Sequence, residues 1–373
     1  MTTPLGVYVH WPYCARICPY CDFNVYKNRE IDEAAWTAAL TRDLEAYAAR
    51  TPGRKLSSLY FGGGTPSLAP VNVIDNIVAA CDRFWGFEPG AEITLEANPT
   101  DAEQSRFEAF AQAGVNRLSL GVQSLRDEAL KFLGREHDAG AALRAIEAAQ
   151  SAFPRVTFDL IYARPGQTLA DWRAELGEAL ALGPRHLSLY QLTIEPGTAF
   201  AKAVDKGRWA PAGEDLCADM FDVAQEMTAA HGLPAYEISN HAAPGEESRH
   251  NLVYWTYGDY IGVGPGAHGR LSEDRARVET VAPLAPKDYL AGAPFTESTL
   301  SKREASMERL SMGLRLSSGM PFARGDPYFD EPDAQRKLDL LIGDHLLEWD
   351  GATLAATADG RRILNRVLYE LFG

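Results

Sequence analysis

Three cysteines fall within the run Tyr13-Cys14-Ala15-Arg16-Ile17-Cys18-Pro19-Tyr20-Cys21, spaced Cys-x3-Cys-x2-Cys. A four-iron cluster ordinarily takes four thiolates, one per iron. Three thiolates with no fourth cysteine in the next turn leave one iron open to a substrate or cofactor. A structural zinc site would need a fourth ligand, and the nearby donors are His10 and Asp22. A disulfide framework suits neither the sparse count of five cysteines in 373 residues nor the absence of a leader. The spacing therefore favours an open iron–sulfur site. Cys81 and Cys217 stand alone in helix-like segments and read as buried free thiols.

Other residue types gather in a way that could serve such a site. Gly62-Gly63-Gly64-Thr65-Pro66 follows Leu59-Tyr60-Phe61. Glycines at a strand end allow unusual backbone angles and close approach of a ligand to main-chain groups. The run lacks the GxGxxG and GxxxxGK[ST] spacings of nucleotide loops, and by itself it also reads as a tight turn. Glu96, Gln123 and Asp159 each lie in a later apolar run, toward its C-terminal end. Arg135 is a cation that could meet a carboxylate bidentately, or pair at the surface with Glu136 or Glu128.

The elements that must position these residues are legible as alternation. Apolar strands are expected at Val7–Trp11, Leu56–Phe61, Glu92–Ala97, Arg117–Val122, Thr157–Tyr162 and His186–Leu192. Helices are expected near 31–50, 70–84, 101–113, 139–151, 168–182 and 214–231. Strand–helix repetition predicts a parallel sheet with right-handed crossovers. Polar residues at the C-terminal strand ends place the chemistry on one mouth, as in a barrel. The expected fold is α/β, a partial (β/α)6 barrel over residues 1–240. Residues 241–297, rich in Gly, Pro and aromatics, read as a linker segment. Residues 298–373 read as a small helical, winged-helix-like domain with a hairpin turning at Asp350-Gly351 and a final helix over Ala358–Leu371.

Composition narrows the function. A formal charge of −15 argues against a nucleic-acid reader and against a basic membrane-binding face. From residue 297 on, ten basic residues face thirteen acidic ones, so the C-terminal module is not expected to bind DNA. No stretch approaches the roughly 20 apolar residues of a spanning helix. The N-terminus lacks a secretory pattern. Thiolate ligands without a leader predict a reducing cytoplasm.

Taken together, the loop Tyr8-x-His10-x-Pro12-x-Cys14-x3-Cys18-x2-Cys21, the Gly-Gly-Gly-Thr-Pro turn, Glu96-x-Asn98-Pro99, Gly121-Val122-Gln123 and Phe158-Asp159-Leu160-Ile161-Tyr162 resemble the radical S-adenosylmethionine (SAM) superfamily. More narrowly, and over nearly its whole length, the chain resembles the oxygen-independent coproporphyrinogen III oxidase group. The resemblance implies a [4Fe–4S] cluster on Cys14, Cys18 and Cys21, with SAM chelating the open iron. It implies SAM contacts at Tyr8, Tyr20, Gly63, Gly64, Thr65, Glu96, Gln123, Arg135 and Asp159. In such chemistry one electron from the cluster breaks the S–C5′ bond of SAM, giving a 5′-deoxyadenosyl radical, while the protein binds and excludes water. Glycine main chain and Glu96 suit the methionine ammonium, Arg135 its carboxylate, and Asp159 the ribose hydroxyls.

Two departures separate this chain from the decarboxylating enzymes. They carry a fourth cysteine two residues after the third, where this chain has Phe23, and a long N-terminal extension, where thirteen residues precede Cys14. Both features resemble the shorter, HemW-type haem-chaperone branch. So does Arg249-His250-Asn251-Leu252-Val253-Tyr254-Trp255, which matches its HNxxYW signature. A smaller departure is Tyr162-Ala163-Arg164-Pro165-Gly166-Gln167, where relatives read Gly-Leu-Pro-Gly-Gln. The branch implies haem contact by His250, Asn251, Tyr254 and Trp255, with His10 and His268 as rival imidazoles. The residues alone favour a structural role, with His250 and Asn251 holding a loop while Tyr254 and Trp255 fill core; the resemblance turns the expectation to haem contact. The implied partners are haem and a haem acceptor, expected at a membrane; a homodimer is left open. The alternative activity is oxidative decarboxylation of coproporphyrinogen III to protoporphyrinogen IX.

Overall fold

Alternation along six successive strands sets the architecture of the computed structural model, which describes residues 3–27, 30–101, 104–330 and 332–373. The strands are β1 (Leu5–Trp11), β2 (Leu56–Gly63), β3 (Phe87–Ala97), β4 (Arg117–Gln123), β5 (Arg155–Tyr162) and β6 (His186–Gln191), each parallel to the next. Their register aligns Val7 with Leu59, Leu59 with Ile93, Leu95 with Leu118 and Leu120 with Phe158. One face of the sheet is thereby a continuous apolar surface. The helices Glu33–Arg50, Val71–Phe84, Gln104–Gln112, Ala139–Ala152 and Leu169–Ala181 lie between the strands in sequence. Trp36, Ile74, Phe107, Ile146 and Trp172 from these helices join the same buried cluster. Because strand side chains alternate in direction, the opposite face carries the polar rows Tyr8–Tyr60–Thr94 and Glu96–Ser119–Thr157.

The segment 241–297 is not a linker in this structure. With β7 (Asn240–Ala242) at one edge, it supplies β8 (Asp259–Val263), which pairs in parallel with β1. Beyond β8 come β9 (His268–Glu273), β10 (Ala276–Val281) and β11 (Thr296–Leu300), all antiparallel. The sheet has eleven strands in the order β11-β10-β9-β8-β1-β2-β3-β4-β5-β6-β7. Its parallel core thus holds seven strands, one more than expected. Local periodicity could not reveal β8, because its pairing partner is β1, some 250 residues earlier.

The chain after Ser301 builds a second buried cluster around Leu310, Leu314, Phe322, Leu338, Leu354 and Val367. Ser301 and Glu304 form a reciprocal cap on the helix Lys302–Gly313. The expected hairpin is present as Leu347–Trp349 and Thr353–Ala356, with Met320–Pro321 as a third strand. The single closing helix is instead two, Ala358–Arg362 and Leu364–Phe372, broken at Ile363. No helix among the described residues is long and apolar enough to cross a membrane.

Candidate cofactor site

The cysteine loop leaves the C-terminal end of β1 and is tied down on several sides. Tyr13–Cys14 pairs with Tyr26–Lys27. The glycine turn after β2 hydrogen bonds to the start of the loop, with Gly64 N–H donating to Trp11 O (2.7 Å) and Thr65 N–H to Tyr13 O (2.9 Å). Phe200 N–H donates to Pro19 O (2.9 Å), and Asn24 donates to the carbonyls of Pro265 and Leu284 (3.0 and 2.8 Å). Gly63 has φ of +105°, and an added Cβ would lie 2.5 Å from the His10 ring. Backbone angle and space both demand glycine there.

Cys14, Cys18 and Cys21 are free thiols that line one cavity of about 370 Å3. Around the same cavity stand Tyr20, Gly63, Gly64, Thr65, Glu96, Gln123, Arg135 and Asp159. Of the residues expected to contact SAM, Tyr8 alone stands outside this wall; its hydroxyl is 3.0 Å from His10 Nδ1, and its ring stacks on Tyr60. Cys81 is buried in the core and Cys217 is half-buried, and neither lines this cavity.

Arg135 organises the polar side of the cavity. Nη1 donates to Cys18 Sγ (3.3 Å), and Nη2 donates to Gly121 O (2.8 Å) and to the Asn98 side-chain oxygen. Asn98 in turn donates to Thr65 Oγ1 (3.0 Å), whose hydroxyl reaches Cys14 Sγ at 3.6 Å. Sequence reasoning passed over Asn98 as a site residue, although Glu96-x-Asn98-Pro99 had marked it. It also passed over Tyr60, whose hydroxyl donates to Glu96 Oε1 (2.7 Å) while Gly63 N–H donates to Oε2 (3.1 Å).

Burial shifts the ionisation of the cavity groups. It pushes the Glu96 carboxyl up to about 7, with the Tyr60 hydroxyl opposing it and Asp159 adding repulsion. Burial also lifts Asp159 to about 6, against a Ser188 hydrogen bond and the charges of Arg117 and Arg135. The Cys21 thiol rises to about 11 and that of Cys14 also rises, both chiefly through burial. Two carboxylates held above their usual range on one wall suit a cationic ligand, which would stabilise their charged forms.

The donor set fits a cluster and SAM on features of the cavity itself. Gln123 has φ of +68°, and its Oε1 is buried with no hydrogen-bond partner. An orphaned amide oxygen on a cavity wall is a place for a ligand donor. Among the described residues, no trio of His, Cys, Asp or Glu is arranged for a single metal ion. Three free thiols lining one cavity accord with a multi-iron group, in which each sulfur meets a different iron. The variant loop after β5 braces this wall. Arg164 is buried, pairs with Glu175 (2.5 Å) and donates to Ser124 Oγ (2.7 Å), next to Gln123.

The residues implied for haem lie elsewhere. Arg249–Trp255 is a short helix at the N-terminal end of the strands, away from the cysteine loop. His250 is buried, with Nδ1 hydrogen bonded to Ser58 Oγ (2.8 Å) and Nε2 to the Tyr254 hydroxyl (2.8 Å). Burial lowers its pKa to about 3. Asn251 donates to the Tyr236 hydroxyl (3.4 Å), Tyr254 packs edge-on against Tyr260, and Trp255 lies under Arg315. As placed here, His250 offers no free ring nitrogen to iron. His250 is thus buried and hydrogen bonded, while Asn251, Tyr254 and Trp255 beside it are half-buried on a helix rather than in a loop. His10 is likewise engaged, by Tyr8 and Asn24 O, whereas the His268 side chain is exposed at the start of β9, with Glu279 3.7 Å away.

The pattern of the Radical SAM superfamily matches residues 8–177. The chain is 35% identical to the heme chaperone HemW of Haemophilus influenzae, over 99% of this chain and 98% of that protein. It is 37% identical to the mitochondrial radical S-adenosyl methionine domain-containing protein 1 of Bos taurus, over 98% of this chain and 87% of that one. The solved structure of coproporphyrinogen III oxidase (HemN) from Escherichia coli, described as a radical SAM enzyme, superposes with a TM-score of 0.81 at 22% identity, covering 99% and 90% of the two chains. That likeness extends to the mixed α/β fold and its large sheet with a parallel core. The chain belongs to the radical SAM superfamily, within its HemN-like group and alongside the HemW haem chaperones.

Proposed function

We propose that this protein is a haem chaperone: it binds haem, holds a [4Fe–4S] cluster with SAM, and passes haem to an acceptor protein in a reducing compartment. The observation that carries this reading is the end-to-end similarity to heme chaperone HemW, at 35% identity. Phe23 in place of a fourth cysteine agrees with it.

Cys14, Cys18 and Cys21 would hold the cluster, which with SAM supplies one-electron chemistry when bound. Around it the protein has positioning work to do. Glu96 accepts from the methionine ammonium, Arg135 meets the carboxylate, Asp159 accepts from ribose hydroxyls, and the free Gln123 oxygen takes a further donor. The strands curve as a partial barrel around this site, and residues 298–373 form a winged-helix-like domain. Haem is assigned to His268, whose side chain is exposed, because His10 and His250 have both ring nitrogens occupied.

Reconstituted protein tests the reading under anaerobic conditions. Haem should bind at about one per chain with a histidine-type absorbance band. His268→Ala should lose or shift that band, and haem should pass stoichiometrically to an acceptor. Incubation with coproporphyrinogen III, SAM and a reductant should give no multiple-turnover decarboxylation. Repeated turnover there would hand the protein to the enzyme reading.

A further inference from the structure

The Arg249–Trp255 helix stands away from the cysteine loop, yet direct contacts link it to the cavity. Ser248 caps the helix by accepting from Asn251 N–H (3.3 Å). Glu92, buried at the start of the β3 core, accepts the backbone N–H groups of Arg249 and His250 (3.2 and 3.1 Å). The His250 ring, 1% exposed, stacks on Tyr60 with centroids 4.9 Å apart and planes 22° apart. Tyr60 then donates to Glu96 Oε1 (2.7 Å), and Glu96 faces the cavity. An imidazole neutral at working pH contributes shape and hydrogen bonds here, not charge.

We propose that His250 is a positioning residue for the SAM site: it fixes the Tyr60 ring from below, and Tyr60 aims the Glu96 carboxylate into the cavity. On this view the helix is the floor of the cofactor site. The proposal rests on assigning SAM to the cavity and is independent of the haem assignment. Ser58 and Tyr254 hold the two ring nitrogens, so the ring cannot turn without breaking both bonds.

The experiment uses the full-length, cluster-reconstituted protein and reads the change that SAM causes in the paramagnetic spectrum of the reduced cluster. His250→Ala and Tyr60→Phe should each weaken SAM binding about tenfold, the scale of one hydrogen bond to a charged group. The double variant should be no weaker than the worse single one, since both act on one carboxylate. Iron content and haem stoichiometry should stay at the parent values. Val253→Ala serves as a control: it truncates a buried residue of the same helix outside the contact chain, and it should lower Tm while leaving SAM affinity intact. If His250→Ala does not fold, His250→Gln takes its place with the same expectation. Parent-like SAM affinity in Tyr60→Phe, additive losses in the double variant, or an equal loss in Val253→Ala would each overturn the proposal. Loss of haem from His250→Ala with SAM binding intact would do so as well, making the helix a haem contact. A parent protein that fails to bind SAM would overturn the SAM assignment beneath it.

Discussion

At the scale of single residues, the cavity combines three thiols with two carboxyls whose ionisation burial opposes. Cys18→Ala should strip the iron, because the remaining two thiolates cannot replace a ligand, whereas Cys81→Ala should keep about four irons per chain. Iron analysis after anaerobic purification checks both. Glu96 gives a pH signature whose sign can be worked out. In the unligated protein its pKa stands at about 7 against an ordinary 4.5, so the folded state holds a proton that the unfolded state releases. Its contribution to stability is full below the ordinary value and is lost as pH rises through about 7. Asp159, raised to about 6, adds in the same direction. SAM is cationic and favours the ionised wall, so its affinity should rise as pH climbs through about 7. Glu96→Gln should weaken SAM binding and flatten that rise, as titrations across pH would reveal. A rise of equal size in the Gln variant would assign the titration to another group.

At the scale of elements, the site depends on close approach between loops from different strands. Gly134 lies just before Arg135 with φ of +71°, and an added Cβ would sit 2.6 Å from Pro19 Cδ. Gly134→Ala should therefore strain the backbone and push the cysteine loop away from the Arg135 turn. The expected cost is about 1–3 kcal/mol, read from the urea midpoint, together with lower iron loading. A parent-like variant in both measurements would mean that the two loops yield freely. The strand alternation that builds the sheet also explains the polar interior: Leu59, Leu95 and Phe158 face the helices, leaving Tyr60, Glu96 and Asp159 for the other face.

At the scale of the whole molecule, the C-terminal part is bound to the sheet through a buried charge. Arg315 pairs with Glu237 (2.8 Å), which is fully buried, and lies 4.5 Å over the Trp255 ring. Arg361 donates to Glu237 O (3.1 Å). Arg315→Ala removes the partner of a buried carboxylate, a change that costs about 3 kcal/mol when both groups are buried. Partial exposure of Arg315 reduces that figure. Calorimetry should show the transition lowered, with proteolysis beginning in the residues beyond Ser301. If stability is unchanged, Ser239 N–H and Asn240, which also donate to Glu237, are sufficient partners.

The sequence by itself determined what depends on neighbours in the chain. Cysteine spacing is a local property, and so are the alternating strands, the helices between them and the turn at Asp350-Gly351. Residues at the ends of those strands then had to share a mouth, which is why Glu96, Gln123 and Asp159 were readable alongside the three cysteines. Only the tertiary structure decided what depends on distant partners. The segment 241–297 joins the sheet because the open edge of β1 accepts β8, a pairing no local period records. His250 lies sealed under Tyr60 because its helix packs across the strand ends, so an imidazole that the resemblance implied for haem instead has both ring nitrogens hydrogen bonded in the interior. Tyr8 stands behind the cavity wall, Asn98 lines it and Tyr60 holds Glu96 from behind it, since side-chain direction and contact follow from register and packing. Residue types announce the chemistry that is available; packing decides which of their atoms remain free to perform it.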